Sequence, residues 1–184
     1  MELIQYWRLI VQNRIIIIAS TFIGLIIAAG ITFTATPLYQ SQAEIFVSTP
    51  ASSLDISALA TGSSFSQQRV KSYAQIINSP LTLEPVIKKL GLKTDAASLA
   101  SQVTASAPLD TVLISLTVTD TNPNRAALIA NSVADQFGIT VSNLELHGIG
   151  IDSPVKVSTV KDAIAASSPS SPKKTINLAL GLLL

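Results

Sequence analysis

The chain has 184 residues, 48% of them hydrophobic and only 12% charged, and twelve Lys and Arg against eleven Asp and Glu leave a net charge of +1. That length suits one domain of ordinary size rather than two plus anchors; the hydrophobic excess points to a membrane, and near-neutral charge without a basic stripe argues against nucleic acid as a partner. Cysteine is absent, which excludes a disulfide framework, a thiolate metal site and a cysteine nucleophile.

No charged residue lies between Arg14 and Glu44. At a rise of about 1.5 Å per residue, the run from Ile15 to Ala35 is long enough to cross a hydrocarbon core of roughly 30 Å. It exceeds the apolar core of a signal peptide and no A-x-A site follows it, so it reads as an uncleaved transmembrane helix. Arg8 and Arg14 precede the run and no cation follows it closely; the positive-inside rule therefore places residues 1–14 in the cytoplasm and the chain after Thr36 outside. Tyr6 and Trp7 fit the aromatic belt at the headgroups. Ser20, Gly24 and Ala28 recur every four residues, which aligns small side chains for a second helix, although small residues are common in membrane helices anyway.

Beyond Pro37, the stretch from Tyr39 to Ser48 alternates, with Tyr39, Ser41, Ala43, Ile45 and Val47 on one face, as a half-buried strand does. The Ser-, Ala- and Gly-rich stretch from Thr49 to Ser66 reads as a surface loop. Val70, Tyr73, Ala74 and Ile77 form a helical stripe, as do Leu83, Val86, Ile87 and Leu90, with Thr82 as the expected N-cap, Pro85 in the first turn and Gly91 closing the helix. Thr94 or Asp95 can cap a short helix through Ser101 that turns Leu99 inward, and a strand is expected after it. Val112, Ile114, Leu116 and Val118 alternate in the clearest strand of the chain. Asn122 then caps a long helix with Pro123 at its first position. Its stripe of Ala126, Ile129, Ala130, Val133, Phe137, Val141 and Leu144 is the candidate core and, in an assembly, the candidate contact face. A last strand spans Pro154 to Val160. The order describes an α+β domain over residues 36–168 whose first and last strands lie side by side.

Catalytic constellations are missing. His147 has no second ligand at metal spacing, no phosphate-binding loop or G-x-S-x-G occurs, and Asp110, Asp120, Asp152 and Asp162 stand at strand ends, where aspartates serve turns. The expectation is a non-enzyme with no metal and no cofactor. Pro169 and Pro172 stiffen residues 169–175 as an extended lead-in, and residues 176–184 lack the polar face of a core helix, so they are expected to begin a second transmembrane helix that is cut short. Lys173 and Lys174 then lie outside, against the positive-inside trend.

Together, "YWRLIVQNR" before the first helix, "TPLYQSQAEIFV" after it, "DTNPNRAALIANSVADQF" after a strand and "PSSPKK" before a second helix resemble the Wzz chain-length-determinant family, the polysaccharide co-polymerases. Pro37, Tyr39, Asn122, Pro123, Asn131, Pro169 and Pro172 carry the likeness, which covers essentially the whole chain. The resemblance implies a two-helix protein of the cytoplasmic membrane, with its N-terminus inside, whose outer domain forms homo-oligomeric rings. Its implied partners are the lipid bilayer, the polysaccharide polymerase and export machinery, and a cytoplasmic tyrosine kinase, separate or fused. Departures are the short connection from Gly148 to Ser153, where many relatives extend a coiled-coil helix, and the shortened second helix, which reads as a fragment. Two other readings are the transmembrane modulator region of a tyrosine autokinase and a tethered extracytoplasmic binding module.

Overall fold

The computed structural model describes residues 11–48, 70–109, 111–149 and 155–183. It divides into two compact units, residues 1–38 with 169–184, and residues 39–168.

The first unit is a helical pair. Helix α1, Arg14–Thr34, is the one helix among the described residues that is long and apolar enough to cross a membrane. Its bounds follow the apolar run from Ile15 to Ala35 to within one residue at each end. Helix α6, Lys174–Leu183, packs antiparallel against α1. Ten residues rise about 15 Å, half of a hydrocarbon core.

In the second unit, strand β1 (Tyr39–Ser48) is followed by a helix ending at residue 77, here α2. Then come α3 (Pro80–Leu90), α4 (Ala96–Gln102), β2 (Val103–Ser106), β3 (Leu113–Asp120), α5 (Pro123–Ile149) and β4 (Lys156–Lys161). The strands form one antiparallel sheet in the order β2-β3-β1-β4, so the first and last strands are neighbours, as the sequence led one to expect. Alternation holds along β1 and along β3 from Ile114 on, whereas Val112 falls before the strand and is half-buried. Ser41, Ala43 and Ile45 are buried opposite Val118, Leu116 and Ile114, with Val47 buried beyond them, and α5 lies across this face and packs against α3. The other face presents Gln40, Gln42, Ser115, Thr117 and Thr119 and is open among the described residues.

Three local expectations need correction. Helix α3 begins at Pro80, with Ser79 in extended conformation before it. Proline at N1 gives up only an N–H that would lack a partner there. Thr82 is therefore not the cap; it is buried inside the helix, its hydroxyl donating to the Ile76 carbonyl at 2.9 Å, and Pro85 falls in the helix interior rather than the first turn. The C-terminal signal was legible: Gly91 adopts φ 61°, the left-handed conformation that side chains resist, and Leu92 N–H reaches back to Ile87 O at 3.0 Å. Leu144 leaves the core stripe and is 48% exposed. Asp95 does cap α4, accepting from Ser98 N–H at 3.3 Å; the Ser98 side chain first, and backbone N–H groups after it, hold its carboxyl below the usual range.

Candidate functional site

Three constellations join residues far apart in the chain. In the first unit, Gly181 of α6 lies against Gly24 and Ala28 of α1. A Cβ placed on Gly181 would fall 2.5 Å from Ala28 Cβ and 2.9 Å from the Gly24 carbonyl oxygen, so the two backbones meet where only glycine fits. One turn away, Asn177 Nδ2 donates to Thr32 Oγ1 at 3.3 Å, and Thr32 is buried by this pairing. A polar pair among apolar side chains fixes the register of one helix on the other. Gly24, Ile27, Ala28, Ile31, Thr32, Asn177, Leu180 and Gly181 line a shallow apolar groove along this seam. Lys174 Nζ stands 5.9 Å from the centre of the Phe33 ring, at cation–π distance.

The prolines of the motif flank the closure of this pair. Leu38 N–H donates to Ser171 O at 3.0 Å, and Ser170 N–H and Oγ both donate to Leu38 O, at 2.7 and 3.0 Å. Pro37 precedes this bridge on one strand, and Pro169 and Pro172 bracket it on the other. Residues without an N–H at these positions leave the neighbouring backbone groups to form the bridge without continuing a ladder.

In the second unit, Asp120 ends β3 opposite Tyr39, and its side chain organises the start of α5. Its Oδ1 accepts from Asn122 N–H at 2.7 Å, and its two oxygens accept from Arg125 Nη2 and Nε at 2.7 and 2.8 Å. Asn122 Oδ1 in turn accepts from the N–H groups of Asn124 and Arg125, at 3.0 and 3.2 Å, which makes it the helix cap, with Pro123 first in the helix. Burial of Asp120 alone would raise its pKa. The Arg125 guanidinium, the Asn122 N–H and the Thr121 hydroxyl outweigh that and hold the carboxyl below the usual range, and Arg125 is raised by its hydrogen bonds to and attraction for the Asp120 carboxylate.

The third constellation starts at Asn131. Its Oδ1 accepts from Ala163 N–H at 2.7 Å and its Nδ2 donates to Ala163 O at 3.0 Å, tying the segment after β4 to α5.

Sequence reading placed Ser20, Gly24 and Ala28 on one face; Gly24 and Ala28 meet α6, whereas Ser20 is exposed. Arg14 opens α1, and Tyr6, Trp7 and Arg8 lie outside the described residues, as do Asp110, Asp152 and the loop from Thr49 to Ser66. Ala126, Ile129, Val133 and Phe137 are all buried within their own domain, so they form its core and cannot serve as an outward contact face. The residues of α5 that do face outward include Leu128, Asp135 and Ile139. Thr32, Asn177, Gly181, Arg125 and Ala163 were missed as site residues. A lone Asn followed four residues later by Gly, inside an apolar run, was the available signal for Asn177 and Gly181. Among the described residues no three His, Cys, Asp or Glu side chains come together to hold a metal ion. These constellations hold backbone and helices in place; none is arranged to activate a nucleophile or transfer a proton.

A sequence model described as Wzz, chain length determinant protein, matches residues 1–90. The capsular polysaccharide biosynthesis protein CpsC of Streptococcus pneumoniae is 30% identical over 187 aligned positions, covering 99% of this chain and 76% of that protein. The chain belongs to the Wzz chain-length-determinant family. The probable capsular polysaccharide biosynthesis protein YwqC of Bacillus subtilis is 28% identical, covering 91% of this chain and 66% of its own length. The capsular polysaccharide biosynthesis protein CapA of Staphylococcus aureus is 25% identical, at 86% and 74%. The chain thus spans 66% to 76% of the length of these relatives.

Proposed function

We propose that this protein is a membrane-anchored, non-enzymatic regulator of the chain length and export of a surface polysaccharide. The observation that carries the reading is the match to CpsC over 99% of the chain, which takes in both the helical pair and the α+β domain. In this reading α1 spans the cytoplasmic membrane with Arg8 and Arg14 on the inner side, α6 begins a second span, and the α+β domain lies outside. The Gly24–Ala28–Gly181 seam supports a paired anchor, since small residues let membrane helices approach closely enough to gain from packing.

Copies of the domain assemble, and the assembly holds the polymerase or the growing glycan for a limited time. The face of α5 that carries Leu128 and Ile139, 54% and 53% exposed, is the contact surface this reading favours. A tyrosine kinase on the inner side is the partner to which the paired helices relay assembly state. Deleting the coding sequence and restoring it should abolish and then restore the modal polymer length on gels of extracted polysaccharide. A length distribution unchanged by deletion refutes the proposal. Monomeric protein in mild detergent, together with that unchanged distribution, would point instead to a tethered binding module.

A further inference from the structure

We propose that Asn131 is a positioning residue: it latches residues 162–168, the connection from β4 towards α6, onto α5 and thereby couples the chain leaving the domain to the packing of that helix. The inference rests on the reading of the protein as an anchored regulator of polymer length. Residues 162–166 form neither helix nor strand, and Ala163 is buried while Asp162, Ile164 and Ala165 around it are exposed. Ala163 is held by both of its backbone groups, N–H to Asn131 Oδ1 at 2.7 Å and C=O from Asn131 Nδ2 at 3.0 Å. One planar amide supplies both halves of a β-bridge, a donor and an acceptor side by side.

The latch sits within the load-carrying part of α5, because Ala130, Val133 and Ala134 around it are all buried in the core. A displacement of residues 162–168 therefore reaches the core helix through this contact. No other residue type reproduces the pairing at that length. Aspartate keeps the acceptor but turns a second oxygen towards the Ala163 carbonyl, and alanine keeps neither.

The test uses the full chain, as wild type, Asn131→Ala and the isosteric Asn131→Asp, in detergent for amide hydrogen exchange and in the producing cell for polymer length, beside a deletion strain. Exchange of the Ala163 amide should rise about tenfold in Asn131→Ala and less in Asn131→Asp, with β1 and β3 amides unchanged. Polymer length should move towards that of the deletion strain in the same order. If Asn131→Ala does not accumulate folded, Asn131→Asp carries both readouts. Unchanged exchange overturns the latch; loosened exchange with wild-type polymer length overturns the coupling. Deletion without effect on the polymer overturns the regulator reading and the coupling, and leaves the latch itself to be decided by the exchange data.

Discussion

Arg125 grips Asp120 through two parallel hydrogen bonds, Nη2 to Oδ1 at 2.7 Å and Nε to Oδ2 at 2.8 Å, across the turn that feeds β3 into α5. The Asp120 side chain is 4% exposed and that of Arg125 52%, so the pair is half in solvent. Because the carboxyl pKa is lowered on folding, the stabilisation is complete above its ordinary value of 3.8 and is lost as pH falls through the lower folded value. Asp120→Asn should cost about 1–2 kcal/mol at neutral pH, after allowance for solvent screening of Arg125. Thermal unfolding curves of wild type and variant should converge as pH drops below about 4. A gap that persists at lower pH would show that the charge is not what Asp120 contributes.

Gly181 has no room for a side chain against Ala28 and Gly24. With no cysteine in the chain, a Thr32→Cys and Asn177→Cys double variant reports pairing of α1 and α6 by disulfide formation in membranes. Adding Gly181→Leu should slow that cross-link severalfold, because the backbones can no longer meet. Equal rates with and without the leucine would mean the glycine contact does not hold the pair together.

Ser41 faces the core, and its hydroxyl is buried with no hydrogen-bond partner among the described residues. Ser41→Ala removes a polar group that burial penalises and leaves a small cavity at most. It should raise stability by about 1 kcal/mol. Denaturant unfolding will show the midpoint rising; a fall would mean that the hydroxyl is bonded in the folded protein.

Phe137 is fully buried at the centre of α5, while Ile139, two residues on, is 53% exposed. Phe137→Ala should destabilise by about 3–5 kcal/mol through lost burial and an unfilled cavity. Ile139→Glu should leave stability within about 0.5 kcal/mol of wild type. Light scattering of the folded Ile139→Glu protein then reads assembly alone: smaller particles support the outward face of α5 as a contact surface, and unchanged particles exclude Ile139 from it.

Elements whose signals are local were legible in sequence. Period-2 alternation in β1 and β3, the Asn122–Pro123 start of α5, the Asp95 cap and the left-handed Gly91 all depend on neighbours within a few residues, and the structure realises each of them. The start of α3 was misread because two prolines and a threonine compete there, and a capping threonine looks the same as one buried against Ile76. What sequence did not reveal was pairwise and distant. Asn131 with Ala163 and Gly181 with Gly24 each need two segments brought together, and neither partner carries a pattern that names the other. The apolar stripe of α5 showed that Val133 and Phe137 face something; the sheet of the same domain turned out to be that something.

Strand β1 enters the sheet at Tyr39, and its antiparallel neighbour β4 leaves at Lys161, opposite Glu44. Both chain ends of the domain therefore emerge from the same end of one strand pair. Pulling those ends apart loads the β1–β4 ladder in the unzipping direction, from the Lys161–Glu44 contact inward, only after the Asn131–Ala163 hydrogen bonds beyond it have given way. On the other side the pull acts on β1 at Tyr39, where the ladder to β3 starts opposite Asp120, so the root of the domain is held by both neighbours of β1 and by α5.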